Sequence, residues 1–353
     1  MNKTDDYAKK FADLMIKALE NDVAPWVKPW KAGEIPTGPH NGITNRSYRG
    51  SNFMNLLLTQ LDKGYTTPDW MTFNQISEAG GKVRKGEKGT SIQFWKSTEP
   101  TAEQLAEDPT AKKRMQFFYF VVFNRDQCDG LPESKPKLIA PIEWRHDKCE
   151  QLMEESGVPF NFNGGDRAYY RPDIDQVFMP SKAAFHSQDG FYATALHELG
   201  HSTGHKDRLG RDLSGKFGTE SYAIEELRAE IFSYMTGERL GIGHDPGQHT
   251  AYVKSWIKIL KDDPKEILRA CADAEKMCAY LKIERYQELQ QHQLQEQEQE
   301  QEQEQPKDVV PQKPAAKTKT KPKVIDPLAP EVLDAQIKEM KSRRKAKEMA
   351  VAL

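Results

Sequence analysis

In Ala195-Leu196-His197-Glu198-Leu199-Gly200-His201 two histidines stand four residues apart, with a glutamate directly after the first. On an α-helix, positions i and i+4 share a face, so both imidazoles can reach one ion from the same side. Glu198, one residue past the first histidine, then faces the reacting water instead of the ion. The neighbours Ala195, Leu196, Leu199, Gly200 and Ser202 are uncharged, as a buried helix requires. A helix is therefore expected over residues 181–203, followed by a glycine-rich charged loop and a second patterned helix over 221–240.

A catalytic zinc takes three protein ligands and keeps one position open. With His197 and His201 as two of them, the third is sought among the acids downstream. Glu226 is favoured: it lies on the second helix in Glu225-Glu226-Leu227-Arg228-Ala229-Glu230. Glu230, four residues on, shares its face and can hydrogen-bond a ligand histidine, the plan of the gluzincins, with Ala229 leaving room for close packing. Asp207, reached by a sharp turn at Gly204, is the runner-up, ahead of Glu225, Glu230 itself and His205. The expected ion is Zn2+, with Mn2+ or Co2+ as alternatives. Such a site polarises a carbonyl while Glu198 carries a proton from water to a leaving amine. Tyr222, His244 and His249 are candidate donors to the oxygen that gains charge, and the strand at 176–179 is a candidate edge for an extended peptide.

Working outward, 353 residues suffice for two domains and a tail. The fold class expected is α+β: a small α+β domain over 1–132, a metal-binding domain over 140–286, a Gln/Glu and Lys/Pro spacer over 287–329, and a short basic helix over 330–353. Within the first domain, helices are expected at 4–21, 52–60 and 72–79 and strands at 90–95 and 116–123, with a polar insertion at 98–113. Within the second, 144–156 is expected helical, 248–280 supplies one or two more helices, and 168–170 and 176–179 are extended. The tail ends in Lys341-Ser342-Arg343-Arg344-Lys345-Ala346-Lys347, either a tether or a helix that docks a further partner. No CxxC spacing occurs among the four cysteines, which are expected to be reduced and buried. No run approaches the ~18 apolar residues of a membrane span, and the first residues lack an apolar core, so a cytoplasmic protein is expected.

The net charge of −2 hides an asymmetry: from His40 to Lys96 there are eight Lys/Arg against four Asp/Glu. Aromatics alternate with bases and amides there, making Trp26, Trp30, Arg46, Tyr48, Arg49, Trp70, Lys82, Arg84, Lys85 and Lys88 candidate contacts to single-stranded nucleic acid. Cations can neutralise phosphates while ring faces stack on unpaired bases. The competing reading is a scaffold with its aromatics in the core and an ordinary turn at Gly80–Gly89.

Several ordered motifs resemble the ArdC antirestriction family, which includes the N-terminal part of TraC-type conjugative primases. They are Ala24-Pro25-Trp26-x-x-Pro29-Trp30, Ser47-Tyr48-Arg49-Gly50-x-Asn52, Trp70-Met71-Thr72-Phe73-Asn74-Gln75, Gly80-Gly81-x-Val83-Arg84-Lys85-Gly86-Glu87-Lys88-Gly89 and Val122-Phe123-Asn124-x-x-Gln127. Tyr169-Tyr170-x-Pro172-x-x-Asp175-x-x-x-Met179-Pro180, the run His197–His205 and Tyr222-Ala223-x-Glu225-Glu226-Leu227-x-Ala229-Glu230 are similar to the family's zincin-like metallopeptidase domain. The resemblance covers residues 7–285. It implies single-stranded-DNA binding by the first domain and a second domain compared with Spartan-type proteases that act on DNA-bound protein. It also implies protection of DNA entering a host by conjugation; the alternative is a single-stranded-DNA-binding protein whose metal site is structural or whose protease activity is not needed for protection.

Overall fold

The computed structural model describes residues 3–21, 38–98, 100, 114–134, 141–162, 165–243, 252–286 and 289. Helix α1, Lys3–Glu20, buries Tyr7, Phe11, Met15 and Leu19 along one stripe. Each large apolar side chain so buried contributes about 1.5–3 kcal/mol. Strand β1 (His40–Asn41), helix α2 (Gly50–Lys63), strand β2 (Asp69–Thr72) and helix α3 (Phe73–Glu78) follow. Then come strands β3 (Lys82–Val83), β4 (Thr90–Thr98), β5 (Arg114–Asn124) and β6 (Cys128–Asp129). The main sheet has the order β1-β2-β5-β4, antiparallel except for the β1–β2 pair.

Alternation along β4 and β5 sends Ile92 and Val122 into the core and leaves Trp95, Phe117 and Val121 exposed. Strand β4 is an edge, and an open edge is a template for unwanted pairing. Here α2 closes it. Asn52 accepts from the Gln93 N–H (2.8 Å) and donates to its carbonyl (2.7 Å), while Asn55 donates to the Ser91 carbonyl (3.0 Å). Thr72 and Gln75 form a capping box that starts α3, and Gln75 also accepts from Asn41 at 3.0 Å.

The second half supplies helix α4 (Ile142–Glu155), strands β7 (Phe160–Asn161), β8 (Tyr169–Arg171) and β9 (Gln176–Phe178), and helix α5 (Gln188–Ser202). Helices α6 (Glu220–Leu240), α7 (Val253–Asp262) and α8 (Glu266–Tyr280) complete it. Helices α5 and α6 cross closely because position 200 is glycine: a Cβ there would meet Phe232 Cδ1 at 2.7 Å. The two halves share one hydrophobic cluster, in which Phe11, Met15 and Met54 join Phe232, Trp256, Cys271 and Cys278. Polar ties reinforce the junction. The Gly50 N–H donates to Glu275 (2.7 Å), and Arg49 pairs with Glu284.

Two expectations need correction, and a third is made definite. The helix expected from 181 begins at Gln188, because Ser187 Oγ accepts from the Gly190 N–H (3.0 Å) and caps it there; Lys182–Ala184 is an isolated tight turn. The stretch expected to give one or two helices over 248–280 forms two, α7 and α8, divided at Asp263-Pro264, since proline cannot supply an interior N–H. Strand β9 is the centre of its sheet, order β7-β9-β8, so the edges are β7 and β8 and not 176–179. The expected Trp/Pro segment up to residue 37, most of the 98–113 insertion, residues 135–140, His244, His249 and, apart from Leu289, the spacer and basic helix lie outside the described residues. No described helix is long and apolar enough to cross a membrane.

Candidate metal centre

His197 and His201 stand one turn apart on α5 and point the same way, with Nε2 atoms 3.1 Å apart. Glu226 reaches in from α6, its oxygens 3.5 Å from His197 Nε2 and 3.5 Å from His201 Nε2. A tetrahedral ion with bonds of ~2.0–2.1 Å sets its ligand atoms about 3.4 Å apart. The three donors therefore already have the spacing of one face of such a tetrahedron. Among the described residues they form the one group of three or more His, Cys, Asp or Glu side chains close enough to share an ion.

The outer nitrogens fix the inner ones. His197 Nδ1 lies 3.1 Å from Glu230, and His201 Nδ1 lies 3.2 Å from Glu225. Carboxylates behind ligand imidazoles set their tautomer and orientation. Glu225 is held in turn by Arg211, through Nε (3.0 Å) and Nη2 (2.7 Å). The same guanidinium donates to the Gly200 carbonyl and Thr203 Oγ1, both at 2.8 Å, so the loop after α5 is pinned to the site. Weighed from sequence as a third ligand, Glu225 instead sits behind His201. Asp207 stays apart: it is 75% exposed and 3.5 Å from His205 Nδ1.

Burial opposes charge on both imidazoles, yet the carboxylates overcome it. Glu230 and Glu226 push His197 well above its ordinary range, and Glu226 with Glu225 raises His201 to about 9. Burial pushes Glu226 up, but the two imidazoles hold it well below the usual carboxylate range. Glu198 behaves oppositely: its burial raises it, and the nearby histidines only partly offset that.

All four residues line a cleft of about 600 Å³. Tyr222 also lines it, its ring 5.7 Å from that of Tyr252, and burial raises its hydroxyl. Tyr252 follows an undescribed segment and carries no motif; no pattern in the sequence could have marked it.

The N-terminal candidates are distributed differently. Trp70 is 0% exposed and Tyr48 4%, so neither offers a ring to a base; both are core, which corrects their assignment as stacking residues. Arg49 is tied to Glu284, and Arg84 pairs with Glu87 (3.3 Å) and meets the Asp126 carbonyl. Arg46, Lys82, Lys85 and Lys88 are exposed, while Trp26 and Trp30 lie outside the described residues. Exposed rings occur elsewhere: Trp95 (56%) stands directly opposite Phe117 (47%) on the β4–β5 ribbon. Strand alternation could have found them, since Ser91, Gln93 and Trp95 share a face opposite to that of Ile92.

Comparison with known proteins agrees with this architecture. Residues 5–123 match the model of the N-terminal domain of anti-restriction factor ArdC, and residues 147–273 match a zincin-like metallopeptidase. A DNA primase TraC from Escherichia coli is 44% identical over 303 residues, which are 81% of this chain but 28% of the primase, so the chain spans just over a quarter of that relative. An uncharacterized protein, y4eC of Sinorhizobium fredii, is 34% identical over 79% of this chain and 92% of its own length. The crystal structure of the antirestriction ArdC protein from the R388 plasmid, metal-free, is 37% identical with a TM-score of 0.62, covering 78% of this chain and 96% of that one. The same protein with Mn(II) bound matches at 36% identity, a TM-score of 0.62 and the same coverage. With both halves matched in order and the R388 protein covered almost end to end, the chain belongs to the ArdC antirestriction family.

Proposed function

We propose that this chain binds single-stranded DNA through its N-terminal domain and carries a metal-dependent peptidase centre in its C-terminal domain. It acts in the cytoplasm, protecting DNA that enters by conjugation. The observation that carries the reading is Glu198, a buried carboxyl beside three converging donors that opens onto a cleft. A closed structural site has no use for an additional acid turned toward its open side.

His197, His201 and Glu226 would hold the ion. Two imidazoles and one carboxylate suit Zn2+, with Mn2+, present in the R388 relative, or Co2+ as alternatives. A bound divalent ion supplies Lewis acidity toward a carbonyl oxygen. Glu198 takes a proton from the attacking water and delivers it to the amine as the C–N bond breaks. The Tyr222 hydroxyl donates to the oxygen that gains charge. The β8 edge, whose Tyr169 and Tyr170 line the cleft beside Glu198, aligns an extended peptide by strand pairing. Glu225 and Glu230 keep both imidazoles oriented.

For the strand, the reading is supported by the exposed Trp95, Phe117 and Val121 on the β4–β5 ribbon and by exposed cations at Lys82, Lys85 and Lys88. Rings stack on bases and cations meet phosphates.

The test compares wild type with Glu198→Gln for metal content, single-stranded-DNA affinity and casein-type cleavage, with and without DNA. Metal and DNA binding should persist, and cleavage should fall by ~10²–10⁴-fold. Cleavage at the wild-type rate in the variant contradicts the mechanism. If cleavage is lost while antirestriction survives, the chain protects by coating strands, and its metal site is structural or its hydrolysis unnecessary.

A further inference from the structure

The cleft around the metal centre is rich in aromatic side chains. Tyr169, Tyr170 and Phe185 line it, as do Tyr222 and Tyr252, whose rings lie 5.7 Å apart. Phe217 extends that pair, its ring 5.8 Å from Tyr222 and 6.0 Å from Tyr252, while Tyr252 lies 5.9 Å from Trp256. At 74% exposure, Phe217 is the most exposed large apolar side chain among the described residues. Its ring is thus seated on two neighbours and open to a third, and ring pairs at such spacing attract through their edges and faces.

Apart from its histidines, the ionisable side chains lining the cleft are acids and tyrosines. Its described lining includes Asp166, Glu198, Asp212, Glu225 and Glu226, but neither lysine nor arginine. Arg211 neutralises Glu225 at 2.7 Å, and Glu198 and Glu226 lie where the ion's charge would be balanced. Asp166 and Asp212 remain, both at the exposed rim. Arg211 adjoins Asp212 in sequence but is turned onto Glu225, and Arg167, beside Asp166, does not line the cleft. A phosphodiester entering here meets like charge; a lysine or arginine side chain meets its counter-charge.

We infer that the cleft takes an extended polypeptide segment with an aromatic or large aliphatic side chain set against Phe217 and Tyr222, flanked by lysine or arginine. It does not take a nucleic-acid strand. This deepens the peptidase reading and rests on it. Nucleic acid and substrate therefore occupy separate surfaces, the strand on the basic N-terminal half and the peptide in the acidic cleft.

The test uses the full chain and three labelled peptides of one length: Phe flanked by Lys, Phe flanked by Glu, and Ala flanked by Lys. Binding is read by fluorescence anisotropy on Glu198→Gln, with and without added Mn2+ or Zn2+, and cleavage is read on the wild type. The Lys-flanked Phe peptide should bind roughly tenfold more tightly than either of the others. Phe217→Ala should abolish the preference for Phe over Ala and keep that for Lys over Glu. Asp166→Asn combined with Asp212→Asn should do the reverse. Both sites are exposed, and a thermal melt checks that the variants remain folded. Oligo(dT) saturating the N-terminal half should not displace the peptide. Equal binding of all three peptides, no binding of any, or displacement by oligo(dT) overturns the inference, even where the wild type cleaves them all. Selective binding without cleavage overturns the peptidase reading instead and leaves the selectivity standing.

Discussion

The two halves of this chain encode their candidate sites in different ways. On α5 and α6, residues read from spacing alone meet in space: His197, His201 and Glu226 converge, with Glu230 behind the first histidine. In the N-terminal half, the motif residues that attracted attention mostly do scaffold work. Trp70 and Tyr48 are core, Asn52 closes the β4 edge, Gln75 caps α3, and Gly50 and Arg49 tie α2 to Glu275 and Glu284. A helical repeat states geometry, since i and i+4 must share a face. Aromatics mixed with bases state only composition, and the fold decides which rings stay out.

The contrast can be broken or sharpened by substitution. Glu230→Gln keeps the volume and removes the charge behind His197, so it should weaken metal affinity about 10–100-fold by competitive chelation. An unchanged affinity would make Glu230 a passive core acid. Next, Trp95→Ala should cost about 1–3 kcal/mol of single-stranded-DNA binding, a base-stacking contribution, while leaving the melting temperature nearly unchanged. Lys85→Ala should have a smaller effect, concentrated at low salt, and flatten the salt dependence by about one counterion. If neither moves DNA affinity, the β4–β5 face is not the strand's surface.

The pH dependence separates the halves again. In the metal-free chain His201 is raised to about 9 from 6.5. Its contribution to stability is therefore fully present below 6.5 and lost as pH rises through about 9. An ion requires neutral imidazoles and must displace those protons. Metal-free melting temperature should thus fall from pH 6.5 to 9 while metal affinity climbs over the same interval, with protons released on loading. Parallel rather than opposed slopes would separate the histidine cluster from the metal.

How much was legible follows from the physics of each signal. The helices α1, α2 and α6 were visible as apolar stripes, and β4 and β5 as aromatic and β-branched runs. The early half of the expected 181–203 helix was not, because Ser187 can cap only once the chain around it is turned. Strand order was also hidden: three short strands give no local cue that β9 lies between β7 and β8. Glu225 and Glu226 are adjacent acids, so sequence could rank them but not assign them; Arg211, fourteen residues upstream, claims Glu225. Nor could spacing foresee that α1 and α2 would complete the core around α7 and α8.

The central claim is that one ion is held by residues of both helices. Its most direct test is metal stoichiometry by mass spectrometry under native conditions for Glu226→Ala beside Asp207→Ala. One ion per wild-type chain is expected, with loss of that ion in Glu226→Ala at concentrations that saturate the wild type and full retention in Asp207→Ala. Retention in Glu226→Ala with loss in Asp207→Ala would contradict that claim.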